Sequence, residues 1–173
     1  MCLLIGLAAC SRTSLDLDGL KLKGMALTPG LSPQEVVHVM GPPEEEGRSP
    51  RRFLRPPRLY MKYYRQGIEI AFDSEGRQYD PVSARFVRAY IFLRPEARYA
   101  AFSGKITHGI NGQWDLRRLE KALGPPERTQ TVGSELEWTY WEKRQFQLVF
   151  IAETSTRELK ALMILRRDRD RPK

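Results

Sequence analysis

Thiols, imidazoles and paired carboxylates build most catalytic and metal sites, and this chain is sparing with the first two. Its cysteines are Cys2 and Cys10, both within the first ten residues. The body of the chain can therefore hold no disulfide framework, no cysteine-based metal site and no thiol nucleophile. The two histidines are His38 and His108. His38 falls off the apolar stripe of a predicted helix and reads as a surface residue, while His108 lies in a predicted turn. Asp73-Ser74-Glu75-Gly76 begins like a calcium loop, but the later ligand positions do not follow. It reads better as a hairpin turn. Nucleophile-elbow, P-loop and dinucleotide fingerprints are all missing. The expectation is a chain with no catalytic residues, no metal and no cofactor: a binding protein, not an enzyme.

Two residue groups could carry binding. The formal charge is +8, which suits an anionic partner or simply a solvated basic surface. Basic residues crowd at Arg48, Arg51, Arg52 and Arg55, inside a Pro- and Arg-rich stretch, 44–57, that reads as an exposed loop. No series of aromatic residues accompanies these charges, so no nucleic acid is expected as a partner. The second group is aromatic: Tyr60, Tyr63 and Tyr64 in one strand-like run, and Trp138, Tyr140 and Trp141 in another. Neighbours on a strand face opposite sides, so Trp138 and Tyr140 share a face and Trp141 takes the other. Exposed Tyr and Trp are favoured interface anchors; the alternative for each is packing as cross-strand pairs. The candidate binding surface is Arg48, Arg51, Arg52, Arg55, Tyr63, Tyr64, Trp138 and Trp141.

The elements that position these groups occur twice. Gly-Pro-Pro-Glu stands at Gly41-Pro42-Pro43-Glu44 and again at Gly124-Pro125-Pro126-Glu127. Each copy closes a short helix-patterned segment. Ser32 is an N-cap with Pro33 at the first helical position and Glu35 completing a capping box. Asp115 is the cap of the second copy, and glycine followed by proline stops both helices. Beyond each stop come strand-like runs: 59–64, 68–72 and 86–93 in the first half, and 135–141, 146–150 and 158–165 in the second. The pattern predicts an α+β fold of two tandem strand-helix-three-strand meander repeats, with short helices packed on antiparallel sheet. The organisation is a signal segment over 1–10, a tether over 11–19, repeats over 20–95 and 102–165, and a disordered basic tail over 166–173. A chain of 173 residues with 41% hydrophobic residues is long enough to bury the core this requires.

Residues 2–9 are apolar and too few to span a bilayer. Leu7-Ala8-Ala9-Cys10 resembles a bacterial lipobox, which implies that Cys10 is lipidated and becomes the first mature residue. No basic residue precedes the apolar run, so either the true start lies elsewhere or this is a short buried strand or disordered start. Ser11 after the cysteine implies sorting to the outer membrane in a Gram-negative host. The helix ending in Met/Leu-Gly-x-Pro, then an aromatic strand pair, behind a lipobox, resembles the small envelope lipoproteins of the SmpA/OmlA type. The tandem form resembles the beta-lactamase-inhibitor-like arrangement, and also uncharacterised lipoproteins with a duplicated unit. The resemblance implies a non-enzymatic envelope module anchored in the membrane through Cys10 and binding an envelope protein. The alternative is a binder of an anionic envelope ligand such as peptidoglycan, lipopolysaccharide or lipid headgroups.

Overall fold

A computed structural model describes residues 14–49, 56–74, 78–143 and 145–166. Both helices form where the capping chemistry places them. In α1 (Pro33–Met40) the Ser32 hydroxyl accepts from the Glu35 amide, and the Glu35 carboxylate accepts from the Ser32 amide at 2.8 Å. In α2 (Leu116–Leu123) the Asp115 carboxylate accepts from the Arg118 amide at 2.8 Å. The two stops are conformational twins. Gly41 sits at φ 83, ψ 179 and Gly124 at φ 84, ψ −175, a region essentially reserved for glycine. Each donates back into its helix, Gly41 to the Val37 carbonyl and Gly124 to the Glu120 carbonyl. The proline that follows then forbids another turn.

The rest is sheet, and this corrects the α+β expectation. The described residues form twelve strands in two sheets against two helices of eight residues each, so the fold is mainly β. The small sheet holds β1 (Ser14–Asp16), β2 (Lys21–Leu22), β3 (Met25–Ala26) and β8 (Lys105–Ile106) in the order β3-β2-β1-β8, with β1 and β8 parallel. The large sheet holds β4 (Glu45–Ser49), β5 (Arg58–Tyr63), β6 (Ile68–Asp73), β7 (Arg85–Phe92), β9 (Arg128–Val132), β10 (Glu135–Lys143), β11 (Phe146–Glu153) and β12 (Leu159–Arg166). Its order is β4-β5-β6-β7-β12-β11-β10-β9, antiparallel throughout. Each helix is thus followed by a meander of four strands where three were expected. The two meanders join through β7 and β12, with Leu162 opposite Ile91.

The extra strands explain the correction. β4 has the sequence Glu-Glu-Gly-Arg-Ser and lies at the sheet's edge with neither face buried. It carries no apolar alternation, and so read as part of the 44–57 loop. β1 falls inside the expected tether, yet Leu15 and Leu17 are each only 1% exposed. Ser14-Leu15-Asp16-Leu17-Asp18 does alternate polar and apolar residues, but over too short and polar a stretch to stand out from a tether; the two buried leucines anchor the segment.

One core spans both halves. Val36 and Met40 of α1, and Leu116 and Leu119 of α2, pack with Leu59, Met61, Ile68, Ile70, Phe72, Phe86, Leu148, Phe150, Leu162 and Ile164. The helices therefore cover one face of the large sheet. The Tyr63 hydroxyl crosses this layer and donates to the Gly41 carbonyl at 3.1 Å, tying a helix end to the sheet.

Candidate functional site

Strand alternation assigns the opposite face, where neither α-helix of the described residues packs. With Leu59, Met61 and Tyr63 in the core, β5 turns Arg58, Tyr60 and Lys62 outward. By the same rule β6 presents Glu69 and Asp73, β7 presents Arg88, Tyr90 and Phe92, and β10 presents Glu135 and Glu137. At the centre lies a second apolar cluster: Val149, Ile151 and Ala161, with half-buried Tyr90 and Met163 packed on it. It sits where the two meanders meet.

Ion pairs border this cluster. On one side the Arg88 Nη2 donates to Glu69 Oε1 at 2.7 Å, and its guanidinium carbon lies 5.9 Å from the ring centres of both Tyr60 and Tyr90. The second Glu69 oxygen accepts from the Tyr99 hydroxyl at 2.8 Å. Tyr99 belongs to the segment after β7 and folds back over the sheet. Its ring stacks on Phe92, centroids 3.9 Å apart and 14° between planes, and meets Tyr64 at 4.7 Å. Glu45 collects three donors, Lys62, the Tyr64 hydroxyl at 2.8 Å and Arg98 at 2.7 Å, while Arg98 also lies over the Tyr64 ring. Farther along, Arg58 grips Asp73 through two nitrogens. On the other side of the cluster Lys160 meets Glu135 at 2.7 Å, and the Gln130 amide donates to Glu137.

The electrostatics follow from these contacts. The hydrogen bond from Lys62, then that from Tyr64, hold the Glu45 carboxyl down at about 2. The same Glu45 contact raises Lys62. Burial, then the hydrogen bond to Glu69, pushes the Tyr99 phenol up. Burial does the same to Tyr90. These are charges and hydroxyls fixed in mutual contacts. Among the described residues no group of three or more His, Cys, Asp or Glu side chains could hold a metal ion.

The residues singled out from sequence fare unevenly. Tyr64 is part of this network. Tyr63 and Trp138, expected at a binding surface, are 1% and 7% exposed and belong to the core. Their faces were misassigned because an aromatic strand offers rings to both sides and sequence does not say which side the helix covers. Arg48 is exposed on β4, 4.0 Å from Glu46 and above the Tyr79 ring at 5.5 Å, away from the central cluster. Trp141 falls at the register shift between Tyr140 and Glu142 in β10. Cys10, Arg51, Arg52 and Arg55 lie outside the described residues. Sequence reasoning missed Arg88, Glu69 and Lys160. For Arg88 and Glu69 the signal was the polar half of alternating strands, the half that does not build a core; Lys160 sits at the register irregularity between β11 and β12, where alternation breaks. Tyr99, in an irregular segment, had no signal.

No protein-family model matches the chain, and no curated protein matches it. Two solved structures resemble it. One is the crystal structure of a DUF4309 family protein, YjgB, from Bacillus subtilis subsp. subtilis str. 168, at 15% identity and a TM-score of 0.55, covering 87% of this chain and 89% of that one. The other is an extracellular protein containing a SCP domain from Bacillus anthracis str. Ames, at 10% identity and a TM-score of 0.50, covering 81% of this chain and 44% of that one. The likeness is one of fold. Among the described residues no helix is long and apolar enough to cross a membrane.

Proposed function

We propose that this chain is a non-enzymatic envelope lipoprotein, tethered through an acylated Cys10, that binds an envelope protein on the helix-free face of its large sheet. The observation that carries the binding reading is the pairing on that face. Arg58, Lys62, Arg88 and Lys160 each meet a carboxylate around a central apolar cluster. A polyanion needs cations that it can neutralise itself. A face of mixed sign around an apolar centre fits another protein, with alternating charges fixing register.

Anchoring rests on the Leu7-Ala8-Ala9-Cys10 resemblance, and the description of one fold neighbour as extracellular is in keeping with it. A likeness to SmpA/OmlA-type lipoproteins and an outer-membrane, periplasm-facing position in a Gram-negative host remain part of this proposal. The fold adds a spatial consequence. Only Ser11, Arg12 and Thr13 stand between Cys10 and β1, a reach of roughly 13 Å when extended. An acylated chain would be held close to the bilayer rather than on a long leash.

Two measurements test the reading. Labelled fatty acid should enter the chain and be lost in Cys10→Ser; uptake that survives the substitution removes the anchor. Affinity capture from detergent-solubilised envelope should recover a specific protein with the native chain and lose it with Met163→Glu. Equal recovery with both chains removes the face.

A further inference from the structure

The two outer strands of the large sheet occupy equivalent places in the two meanders, yet they are built differently. β4 carries Glu45, Glu46 and Arg48 on a five-residue strand interrupted by Gly47, the charged, broken composition that discourages edge-to-edge pairing. β9 reads Arg-Thr-Gln-Thr-Val, with four of its five residues exposed and only Gln130 intermediate. It has no proline, glycine or acidic residue, and its Thr and Val favour strands. It pairs with β10 on one side, and among the described residues no strand pairs with the other. Val132, at its end, is 51% exposed, one of two large hydrophobic residues so exposed among those described.

We infer that β9 is an open edge that pairs antiparallel with β9 of a second copy, joining two eight-stranded sheets across a two-fold axis. The strand is complementary to itself. Centred on Gln130, the pairing sets Thr129 opposite Thr131 of the second copy and Arg128 opposite Val132, so no like charges meet. This register also sets residues of the same face opposite one another. Arg128, Gln130 and Val132 lie with Glu135 and Glu137 on the helix-free face, and the second copy adds its own trio to that face. The axis then stands perpendicular to the sheet, and both helix layers stay on one side. A slip by one residue would set helix-free positions opposite helix-side positions and turn the second sheet over. The two helix-free faces would form one continuous surface. The dimer itself does not depend on the proposed function of that surface.

The test is association of the Cys10→Ser chain, so that no acyl chain drives it, by sedimentation equilibrium. The native β9 sequence should give a concentration-dependent dimer with slowed amide exchange in β9 and not in β4. Thr129→Glu combined with Thr131→Glu sets carboxylates opposite each other twice and should weaken the dimer about tenfold, the equivalent of ~1.4 kcal/mol. Thr129→Lys with Thr131→Glu sets opposite charges together and should retain it. Unchanged circular dichroism melts show that both variants fold, as expected at exposed positions. A chain monomeric at every attainable concentration overturns the inference, as does a dimer that responds equally to both variants. A monomer whose β9 amides slow only on adding envelope extract also overturns it, in favour of a foreign strand on the same edge.

Discussion

Tyr63 and Tyr140 occupy matching places in the two halves, each on the strand next to an edge strand and each 1% exposed. Burial pushes both phenols up to about 12. They differ in one respect. The Tyr63 hydroxyl donates to the Gly41 carbonyl at 3.1 Å, whereas the Tyr140 hydroxyl meets no partner among the described residues. Phenylalanine keeps each ring, including the edge contact of Tyr140 with Phe150 at 5.6 Å, and deletes only the hydroxyl. Tyr63→Phe loses a neutral hydrogen bond with a net value of about 1 kcal/mol. Tyr140→Phe removes a buried hydroxyl that was desolvated without compensation, a penalty of about 1–3 kcal/mol, so stability should hold or rise by ~1 kcal/mol. The expected separation is therefore about 1–2 kcal/mol, or roughly 2–8 °C in Tm for a chain of this size. Urea unfolding with unchanged m-values is the assay. If Tyr140→Phe destabilises as much as Tyr63→Phe, the Tyr140 hydroxyl is paired and the asymmetry between the halves is refuted.

Three further outcomes follow from the same geometry. Trp138→Ala should lower stability by about 3–5 kcal/mol, as expected for a large core residue, and thermal melts would show a near-neutral change instead if the ring lay at a surface. Gly41→Ala and Gly124→Ala should each cost about 1–3 kcal/mol through backbone strain alone, because an added Cβ meets nothing within 4 Å at either site; markedly unequal losses would break the equivalence of the two stops. Glu45 has its carboxyl depressed from 4.5 to about 2 in the folded chain, so its contribution is present above about 4.5 and fades as pH falls from there through about 2. Glu45→Gln should flatten that part of the stability–pH profile, and an unchanged profile would show that Lys62 and Tyr64 do not hold the carboxylate.

Local chemistry was the most legible part of this chain. Ser32, Glu35 and Asp115 announce helix starts through hydrogen bonds that close within four residues, and Gly41 and Gly124 announce stops through a backbone conformation that side chains forbid. Ile68, Ile70 and Phe72 announce a half-buried strand by period. Edge strands escape such reading. Neither β4 nor β9 buries a full face, so neither needs apolar alternation, and overlooking them turned a mainly β fold into an α+β one. The helix-free face escaped for a related reason. The pairing of Arg88 with Glu69, or of Lys160 with Glu135, joins residues distant in sequence through register alone. Tyr63 and Trp138 were visible as aromatic residues, but their burial depends on which sheet face the two helices cover, and that is decided by tertiary packing.

Binding of an envelope protein on the helix-free face is the proposal on which the functional reading stands. Its most direct test is a photo-crosslinking side chain placed at Met163, in the apolar centre of that face, and separately at Val82, which is 85% exposed and outside that centre. Irradiation would be carried out in cells that make the chain naturally. One discrete crosslinked protein is expected from position 163 and none of that mass from position 82. No adduct at 163, or the same adduct from both positions, would contradict it.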